Sequence, residues 1–236
     1  MTASPRASEP VSDGPHQGQP VARAGVPLER AQAAAIFVHG RGASAESILS
    51  LADALAQPEV AYLAPQAAGY TWYPNSFLAP IEQNEPGLSS GLQVLADLLA
   101  RLDEAGHPPE RVLLLGFSQG ACLTTEFAAR HPRRYGGVVA LSGGLIGTGE
   151  RPGKAPPHDK VFDYAGDLDG TPVFLGCSDV DPHIPIERVE TTARVFERLG
   201  ADVRTRVYEG MGHTINDDEI RYVRKLLVRL QKAEAP

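Results

Sequence analysis

The sequence predicts an α/β fold, in which helices flank a mostly parallel, doubly wound sheet. Short apolar runs of strand length alternate along the chain with segments that repeat apolar residues at helical spacing, as in successive strand–helix units. One of the strands stops at Gly116 and passes through Ser118 directly into a helix. The 236 residues suffice for one sizeable domain with a hydrophobic core, and we predict that this single domain covers residues 19–236.

The individual elements follow from local composition and from the residues at their ends. Strands are predicted mainly where short apolar runs stop at glycine, proline or a polar loop, at residues 33–38, 60–64, 113–115, 137–141, 172–176 and 202–208. Helices are predicted where apolar residues repeat on one face between capping residues, at residues 45–56, 88–105, 121–130, 186–199 and 216–232. We also expect a short edge hairpin, made by residues 21–24 and 26–28 through Gly25.

Three further segments lie outside this alternation. Residues 1–18 have almost no large apolar side chains, so burial cannot offset their ordering entropy, and we expect a mobile N-terminal tail. Residues 66–87 form a long irregular stretch that contains several aromatic residues. Long loops inside compact domains usually carry function, so we predict that this one forms a wall of a binding site. Residues 147–170 are charged and rich in proline, and we expect a loop or partial lid.

The composition argues against a nucleic-acid-binding protein and against a membrane protein. The formal net charge is −7, and no cluster of lysine and arginine of the kind that binds phosphate is evident. No stretch approaches the ~18 apolar residues of a membrane span, and the N-terminus lacks the apolar core of a signal peptide. Cys122 and Cys177 lie where small buried residues are expected. We therefore expect a cytoplasmic protein, and a homodimer stays open because the sequence does not set the oligomeric state.

The motif Gly116-Phe117-Ser118-Gln119-Gly120 is predicted to be a nucleophile elbow, a tight turn from a buried strand into a helix. In such a turn the serine is held in strained backbone geometry, and glycines flank it because a Cβ atom would clash. Ser118 would then stand exposed at the carboxyl end of its strand. Ligands of doubly wound sheets bind at that end.

A serine hydroxyl needs an imidazole to take its proton and a carboxylate to orient that imidazole. On this kind of fold the acid and then the histidine follow the serine in the chain. Of the seven histidines, only His213 follows the last predicted strand in a glycine-lined loop, so we predict that it is the base. The loop after the preceding strand offers both Asp179 and Asp181 as the acid, and spacing alone does not separate them. Asp169, before that strand, is a poorer third.

Two backbone amides are expected to bind the oxyanion of a tetrahedral intermediate. One is that of Gln119, directly after the nucleophile, and the other is that of Arg41, in the glycine-rich loop after the first parallel strand. We expect the side chain of Arg41 to be solvated. An apolar acyl pocket is predicted between two loops: the irregular stretch at residues 66–87, here named the aromatic loop, and the loop after the fourth parallel strand. Its predicted lining consists of Trp72, Tyr73, Phe77, Leu145 and Ile146.

Five motifs in chain order carry a resemblance to a known family. They are H-G-R-G at 39–42, A-P-Q-A-A-G-Y-T-W-Y-P at 64–74, G-F-S-Q-G at 116–120, D-P-H-I-P at 181–185 and Y-E-G-M-G-H at 208–213. Together they resemble the phospholipase/carboxylesterase family of α/β-hydrolases, which includes acyl-protein thioesterases and small bacterial carboxylesterases. The resemblance covers residues 17–230. It implies Asp181 as the triad acid, because the aspartate of D-P-x-x-P has that role in the family, and it implies Arg41 and Gln119 as the oxyanion donors.

The resemblance implies a serine hydrolase that acts on ester bonds of a small molecule and needs no metal or organic cofactor. Acyl-protein thioesterases usually carry H-G-L-G-D where this chain has Arg41 and Ala43, which favours a carboxylesterase for short- to medium-chain or aromatic esters. A thioester or acylated protein is the alternative substrate, and a lysophospholipid is the next. The intact set of serine, acid and histidine disfavours a non-catalytic binding protein. Serine at position 118 disfavours an enzyme like dienelactone hydrolase, whose nucleophile is cysteine.

Overall fold

A seven-stranded sheet forms the centre of the computed structural model, which describes residues 14–155 and 159–232. Its strands are β1 (Val21–Gly25), β2 (Ala33–Val38), β3 (Val60–Pro65), β4 (Val112–Phe117), β5 (Gly137–Leu141), β8 (Pro172–Ser178) and β9 (Asp202–Tyr208), and two short strands, β6 (Gly149–Glu150) and β7 (Lys160–Val161), pair separately. The order across the sheet is β1-β3-β2-β4-β5-β8-β9. Among the described strands of this sheet, β1 alone runs antiparallel to its neighbour. The predicted mostly parallel sheet is confirmed.

Helices cover both faces of the sheet. They are α1 (Ala45–Leu49), α2 (Leu51–Leu55), α3 (Gly87–Glu104), α4 (Gln119–Arg130), α5 (Ile186–Arg198) and α6 (Asp217–Lys232). One apolar layer contains α3, α4 and α5, and the other contains α1, α2 and α6. Because successive side chains of a strand point to opposite faces, β4 contributes Leu114 to the first layer and Leu113 and Leu115 to the second. Burial on both faces explains why the central strands are apolar at almost every position.

None of these helices, taken over the described ranges, combines the length and the apolar character that crossing a membrane requires.

Two of the N-terminal elements differ from the sequence-based expectation. The predicted edge hairpin is wrong, because β1 pairs along its whole length with β3, and residues Leu28–Arg30 form a 3₁₀ turn instead of a second strand. Pro27 precedes that turn, and proline lacks the N–H group that strand pairing needs. The helix predicted at residues 45–56 is interrupted at Ser50, which separates α1 from α2.

Residues 14–18 are held on the domain, which corrects the predicted extent of the tail. The His16 side chain is only 4% exposed. Its Nε2 donates to the Trp72 carbonyl at 2.9 Å, and its Nδ1 accepts from the Ala68 amide at 3.0 Å. The His16 amide donates to Ser90 Oγ at 2.9 Å. Hydrogen bonds therefore offset the ordering entropy of this polar segment. Residues 1–13 of the predicted tail lie outside the described residues.

The segment 147–170 contacts the loop before α3. The Lys160 ammonium donates to the Ala79 carbonyl at 2.6 Å and to Glu150 Oε1 at 3.0 Å. The Glu150 carboxylate also accepts from the Ile81 amide at 2.8 Å. These contacts join β6 and β7 to the far end of the aromatic loop. Residues 156–158 lie outside the described residues, and a partial lid stays a prediction.

Candidate active site

Ser118 lies in the sharp turn between β4 and α4. Its φ of 56° is in the left-handed region, which residues other than glycine rarely adopt. A Cβ atom on Gly116 would lie 2.3 Å from the Gly120 carbonyl oxygen, and a Cβ atom on Gly120 would lie 2.1 Å from the Val38 carbonyl oxygen. Close backbone contacts therefore require both glycines of the motif, as expected for a nucleophile elbow.

The loops after β8 and β9 bring a carboxylate and an imidazole to Ser118. His213 Nε2 lies 2.8 Å from Ser118 Oγ, although the two residues are 95 positions apart in the chain. On the other side of the ring, His213 Nδ1 lies 2.7 Å from Asp181 Oδ2. Because a carboxylate only accepts hydrogen bonds, Nδ1 carries the proton and Nε2 accepts from the serine hydroxyl. The three predicted groups thus form one continuous hydrogen-bonded chain.

The Asp181 carboxylate is oriented by its own loop. Its Oδ1 accepts from the amides of His183 at 2.9 Å and Ile184 at 3.1 Å, which leaves Oδ2 to face His213. Burial alone would raise the pKa of Asp181, but the hydrogen bonds from His213 and the two amides outweigh it, and the pKa lies below its usual value. Asp181 is therefore ionised at neutral pH and suited to stabilise an imidazolium ion.

The other two aspartates considered from the sequence have different positions. Asp179 Oδ1 accepts from the Gly210 amide at 2.8 Å. It therefore joins the loop after β8 to the loop that carries His213. Asp169 precedes β8, and its backbone carbonyl accepts from Arg134. Of the three aspartates, only Asp181 hydrogen-bonds to His213 in the described part of the chain.

The two amides predicted to bind an oxyanion lie beside the nucleophile. Gln119 is the first residue of α4, where helix amides have no intrahelical acceptor. The loop at 39–42 passes close to Ser118, since a Cβ atom on Gly40 would lie 3.3 Å from Ser118 Cβ. Within residues 14–155 and 159–232, neither the Arg41 amide nor the Gln119 amide donates to another protein group. Neither N–H group is therefore engaged within the described residues, as the predicted oxyanion role requires.

The aromatic loop holds the nucleophile turn from one side. The Gln119 side chain accepts from the Trp72 amide at 2.9 Å and donates to the Tyr73 carbonyl at 2.8 Å. The Trp72 indole N–H donates to the His39 carbonyl at 2.9 Å. The loop therefore contacts both segments that carry the predicted oxyanion donors.

A cavity of about 610 Å³ opens beside Ser118 and His213. Its apolar lining includes Tyr73, Phe77, Phe117, Cys122 and Ile184, so two of the five predicted pocket residues are present.

The prediction is corrected for Trp72, Leu145 and Ile146, which do not line the cavity. Each of them is 0% exposed and belongs to the core layer formed with α3, α4 and α5. Trp72 points inward because its indole N–H binds the His39 carbonyl, and the Ile146 amide is held by the buried carboxylate of Glu126 at 2.9 Å. The sequence shows that these residues are apolar, but apolar character alone does not distinguish a side chain that lines the cavity from one in the core behind it.

Two histidines at the site were assigned no role from the sequence. His183 lines the cavity, and its ring meets the His213 ring edge-on, with centroids 4.9 Å apart. His39 is buried at the start of the glycine-rich loop, where its Nδ1 donates to the Gly40 carbonyl at 2.8 Å and its Nε2 accepts from the Ala67 amide at 3.1 Å. Burial lowers the pKa of His39. The position of His39 directly before Gly40 in the H-G-R-G motif is the signal that could have identified it.

Cys122 also lines the cavity, one helical turn after Ser118, and its thiol is a second nucleophilic group at the site. It is 1% exposed, and burial raises the pKa of its thiol to about 12. Since the thiolate is the reactive form of cysteine, Cys122 does not compete with Ser118 at neutral pH.

The similarity to known proteins agrees with this geometry. A family model described as Phospholipase/Carboxylesterase matches residues 22–230. A crystal structure of a phospholipase/carboxylesterase from Dyadobacter fermentans DSM 18053 has 41% sequence identity and a TM-score of 0.81, with coverage of 89% of this chain and 97% of that chain. A crystal structure of esterase PE8 has 25% sequence identity and a TM-score of 0.68, and the match covers 90% of this chain and 98% of that chain.

A relative with a more specific name is acyl-protein thioesterase 1 of Candida albicans. It is 27% identical over 221 residues, which are 84% of this chain and 91% of the relative. The matches extend over almost all of the described fold and include every element that positions Ser118, Asp181 and His213. The chain therefore belongs to the phospholipase/carboxylesterase family of α/β-hydrolases and is an ester-hydrolysing enzyme of the serine hydrolase type.

Proposed function

We propose that the enzyme is a serine carboxylesterase that hydrolyses short- to medium-chain or aromatic carboxylic esters through an acyl-serine intermediate. One observation carries this proposal: the His213 imidazole lies 2.8 Å from Ser118 Oγ and 2.7 Å from Asp181 Oδ2. In this position a single imidazole accepts the serine proton while the carboxylate stabilises the resulting positive charge.

In the acylation step, Ser118 Oγ attacks the ester carbonyl carbon while its proton passes to His213 Nε2. The carbonyl oxygen becomes negatively charged and accepts hydrogen bonds from the amides of Arg41 and Gln119. His213 then donates its proton to the leaving oxygen, the bond from carbon to that oxygen breaks, and the alcohol departs. The acyl group remains on Ser118.

In the deacylation step, His213 takes a proton from a water molecule, and the resulting hydroxide attacks the acyl carbon. The same two amides stabilise the second oxyanion. When this intermediate collapses, His213 returns the proton to Ser118 Oγ, and the carboxylic acid leaves. Asp181 stays ionised throughout, because hydrogen bonds to its loop and to His213 hold its pKa below the usual value.

The size and lining of the cavity favour a substrate with an acyl chain or an aromatic ring of modest size. Its volume of about 610 Å³ falls within the range of small-molecule sites, and Tyr73, Phe77 and Ile184 contribute an apolar wall. Among its described lining residues, Arg41 is the one with a permanent positive charge. A phosphate head group would meet no cluster of basic side chains, which leaves a lysophospholipid as a weaker candidate.

An acyl thioester is the second candidate substrate, because the relative in Candida albicans is named acyl-protein thioesterase 1. The same residues and proton transfers would serve, with sulfur as the leaving atom. Measuring kcat/KM for an oxygen ester and a sulfur ester of the same acyl group distinguishes the two proposals. If the enzyme is a carboxylesterase, kcat/KM should depend on the length of the acyl chain. The sulfur ester should then exceed the oxygen ester in kcat/KM only as far as the better leaving group accounts for. A strong preference for protein-bound over small thioesters would assign the thioesterase instead.

The proposal is tested by Ser118→Ala, with Ser89→Ala on the exposed surface of α3 as the matched control. We expect Ser118→Ala to lower kcat for p-nitrophenyl butyrate by about 10⁴-fold or more and to abolish covalent labelling by a fluorophosphonate probe. Ser89→Ala should leave both unchanged. Near-normal turnover or labelling in Ser118→Ala would refute the acyl-serine mechanism.

A further inference from the structure

The Arg41 side chain is exposed, but it makes a set of contacts that solvation does not explain. Its Nη1 donates to the Pro74 carbonyl at 2.8 Å and to Thr71 Oγ1 at 3.1 Å, and its Nη2 donates to the Asn75 carbonyl at 2.5 Å. The guanidinium carbon also lies 6.0 Å from the centroid of the Tyr73 ring, within range of a cation–π contact. One arginine thus binds four residues of the aromatic loop.

The same loop receives the side chain of the other predicted oxyanion donor. Gln119 Oε1 accepts from the Trp72 amide at 2.9 Å and from Thr71 Oγ1 at 3.2 Å, and its Nε2 donates to the Tyr73 carbonyl at 2.8 Å. Thr71 therefore hydrogen-bonds to the side chains of both Arg41 and Gln119. The two residues flank the nucleophile from different strands, β2 and β4, and segment 71–75 is the element that both side chains share.

Flanking glycines give the Arg41 loop backbone freedom, which contacts with the rest of the protein restrict. Gly40 precedes Arg41 and Gly42 follows it with a φ of 74°, so the backbone on both sides has more freedom than other residues allow. The Gly42 amide is fixed by the Tyr70 carbonyl at 2.7 Å. The Arg41 amide itself donates to no described protein group. Its peptide unit is held through the Gly40 carbonyl, which accepts from the Ala43 amide at 3.2 Å and from His39 Nδ1 at 2.8 Å, and the Arg41 side chain adds contacts on the other side of the residue.

We propose that the Arg41 side chain is a positioning residue for the oxyanion hole. By binding the carbonyls of Pro74 and Asn75, it fixes the position of its own backbone amide relative to the Gln119 amide, because residues 71–75 bind the side chains of both Arg41 and Gln119. The inference rests on the proposed function, because it assumes that the Arg41 amide binds the oxyanion. A guanidinium suits this task, since its planar fork reaches two acceptors at once. The side chain thereby stabilises the transition state without contacting the substrate.

The test compares Arg41→Met and Arg41→Lys with the wild-type enzyme. Both variants keep the backbone amide, Met keeps an unbranched side chain without charge, and Lys keeps the charge without the fork. The matched control is Arg194→Met on the exposed face of α5, where the guanidinium donates to the Thr191 hydroxyl and to no other group of the described residues. Thermal unfolding of each variant verifies that it folds.

The readouts separate positioning from binding. We measure kcat and KM for p-nitrophenyl butyrate and the inhibition constant of a trifluoromethyl ketone with the same acyl chain. Ser118 Oγ adds to the ketone carbonyl carbon, the serine proton passes to His213, and the ketone oxygen becomes an oxyanion, so that the adduct reports on the oxyanion hole.

We expect Arg41→Met to lower kcat and to weaken the ketone by a similar factor of about 10, below the 10²- to 10³-fold cost of losing a donor outright. KM should change by less than about threefold, because the ground-state carbonyl carries little charge. Arg41→Lys should resemble Arg41→Met, and Arg194→Met should match the wild type.

Several results would overturn the positioning role. Full activity in Arg41→Lys would mean that the guanidinium fork is not needed to hold the two carbonyls. An effect confined to KM for esters with an anionic group would mean that Arg41 binds substrate. Unchanged kcat and ketone affinity in Arg41→Met, with Ser118→Ala inactive, would refute positioning while leaving the proposed function intact. If Ser118→Ala itself stayed active, the proposed function would fail first.

Discussion

Glu219 provides a quantitative test of the electrostatics near the site. It lies in the first turn of α6, shortly after His213, and is 0% exposed. Its Oε2 accepts from the Asn216 amide at 2.9 Å. Its Oε1 has no hydrogen-bond partner among the described residues and lies so close to Gly176 that a Cβ atom there would be 2.1 Å away. Burial raises the pKa of Glu219 to about 7, against the hydrogen bond from Asn216 and with a smaller contribution from Asp218.

The sign of the pH effect follows from proton linkage. A carboxyl whose pKa is higher in the folded protein binds its proton more tightly there than in the unfolded chain. Its contribution to stability is fully present below the unfolded pKa, near 4.5, and is lost as the pH rises to about 7. At about 1.4 kcal/mol for each pH unit between these values, ionised Glu219 costs about 3 kcal/mol.

We therefore predict that Glu219→Gln gains stability relative to the wild type as the pH rises. The amide oxygen of glutamine still accepts from Asn216, while its NH₂ group lacks an acceptor and adds a cost that does not depend on pH. The useful quantity is therefore the change in the stability difference with pH. Between about pH 5 and pH 8 the difference in unfolding free energy should move by about 2 to 3 kcal/mol in favour of Glu219→Gln.

The assay is urea unfolding at several pH values, followed by the fluorescence of Trp72, which is the single tryptophan of the chain and is fully buried. Asp217→Asn, at an exposed carboxylate in the same helical turn, is the control for loss of charge near the helix N-terminus. The reasoning is refuted if the stability difference between Glu219→Gln and the wild type is the same at both ends of the pH range, or if Asp217→Asn shows the same pH dependence.

Two further predictions concern the acid and the buried histidines. Asp181→Asn should lower kcat by about 10⁴-fold with little loss of structure, because an amide does not enforce the His213 tautomer. Steady-state kinetics measures the loss of kcat, and circular dichroism verifies the fold. A decrease in kcat of less than about tenfold would contradict the assigned role of Asp181. Burial lowers the pKa values of both His16 and His39, so the unfolded chain binds more protons and stability should fall as the pH drops below 6.5. Thermal unfolding from pH 7 to pH 5 should show a smaller decrease in the midpoint for His16→Gln than for the wild type, and an equal decrease would contradict it.

The parts of the fold that sequence predicted well are those encoded locally. The bounds predicted for residues 33–38, 137–141 and 202–208 agree with β2, β5 and β9. The nucleophile turn was recognisable because two glycines, required by close backbone contacts, bracket the serine between a strand and a helix. His213 was identified by chain order. The structure brings Ser118 and His213 together as that order implies, because the carboxyl ends of parallel strands meet at one edge of the sheet.

The parts that sequence missed depend on contacts between distant polar groups. Spacing did not separate Asp179 from Asp181, and Asp181 followed only from the family resemblance, because the local contacts that orient it are the amides of His183 and Ile184. His16 looked like part of a tail, because its hydrogen bonds go to residues more than 50 positions away. Arg41 looked solvated for the same reason, although its guanidinium binds carbonyls of the aromatic loop. Hydrophobic periodicity carries no information about such pairs.

The Asp181 loop has a consequence for protein engineering. The hydrogen bonds that fix one carboxylate oxygen come from residues two and three positions later, so the orientation of the acid is encoded within residues 181–184. This tetrapeptide is therefore a transferable part, which would keep its geometry when exchanged among homologues or moved in loop grafting. The imidazole differs, because both of its ring nitrogens bind groups from other loops. Transplanting the histidine loop alone would accordingly yield an unaligned base, whereas shuffling the acid loop should preserve hydrolysis.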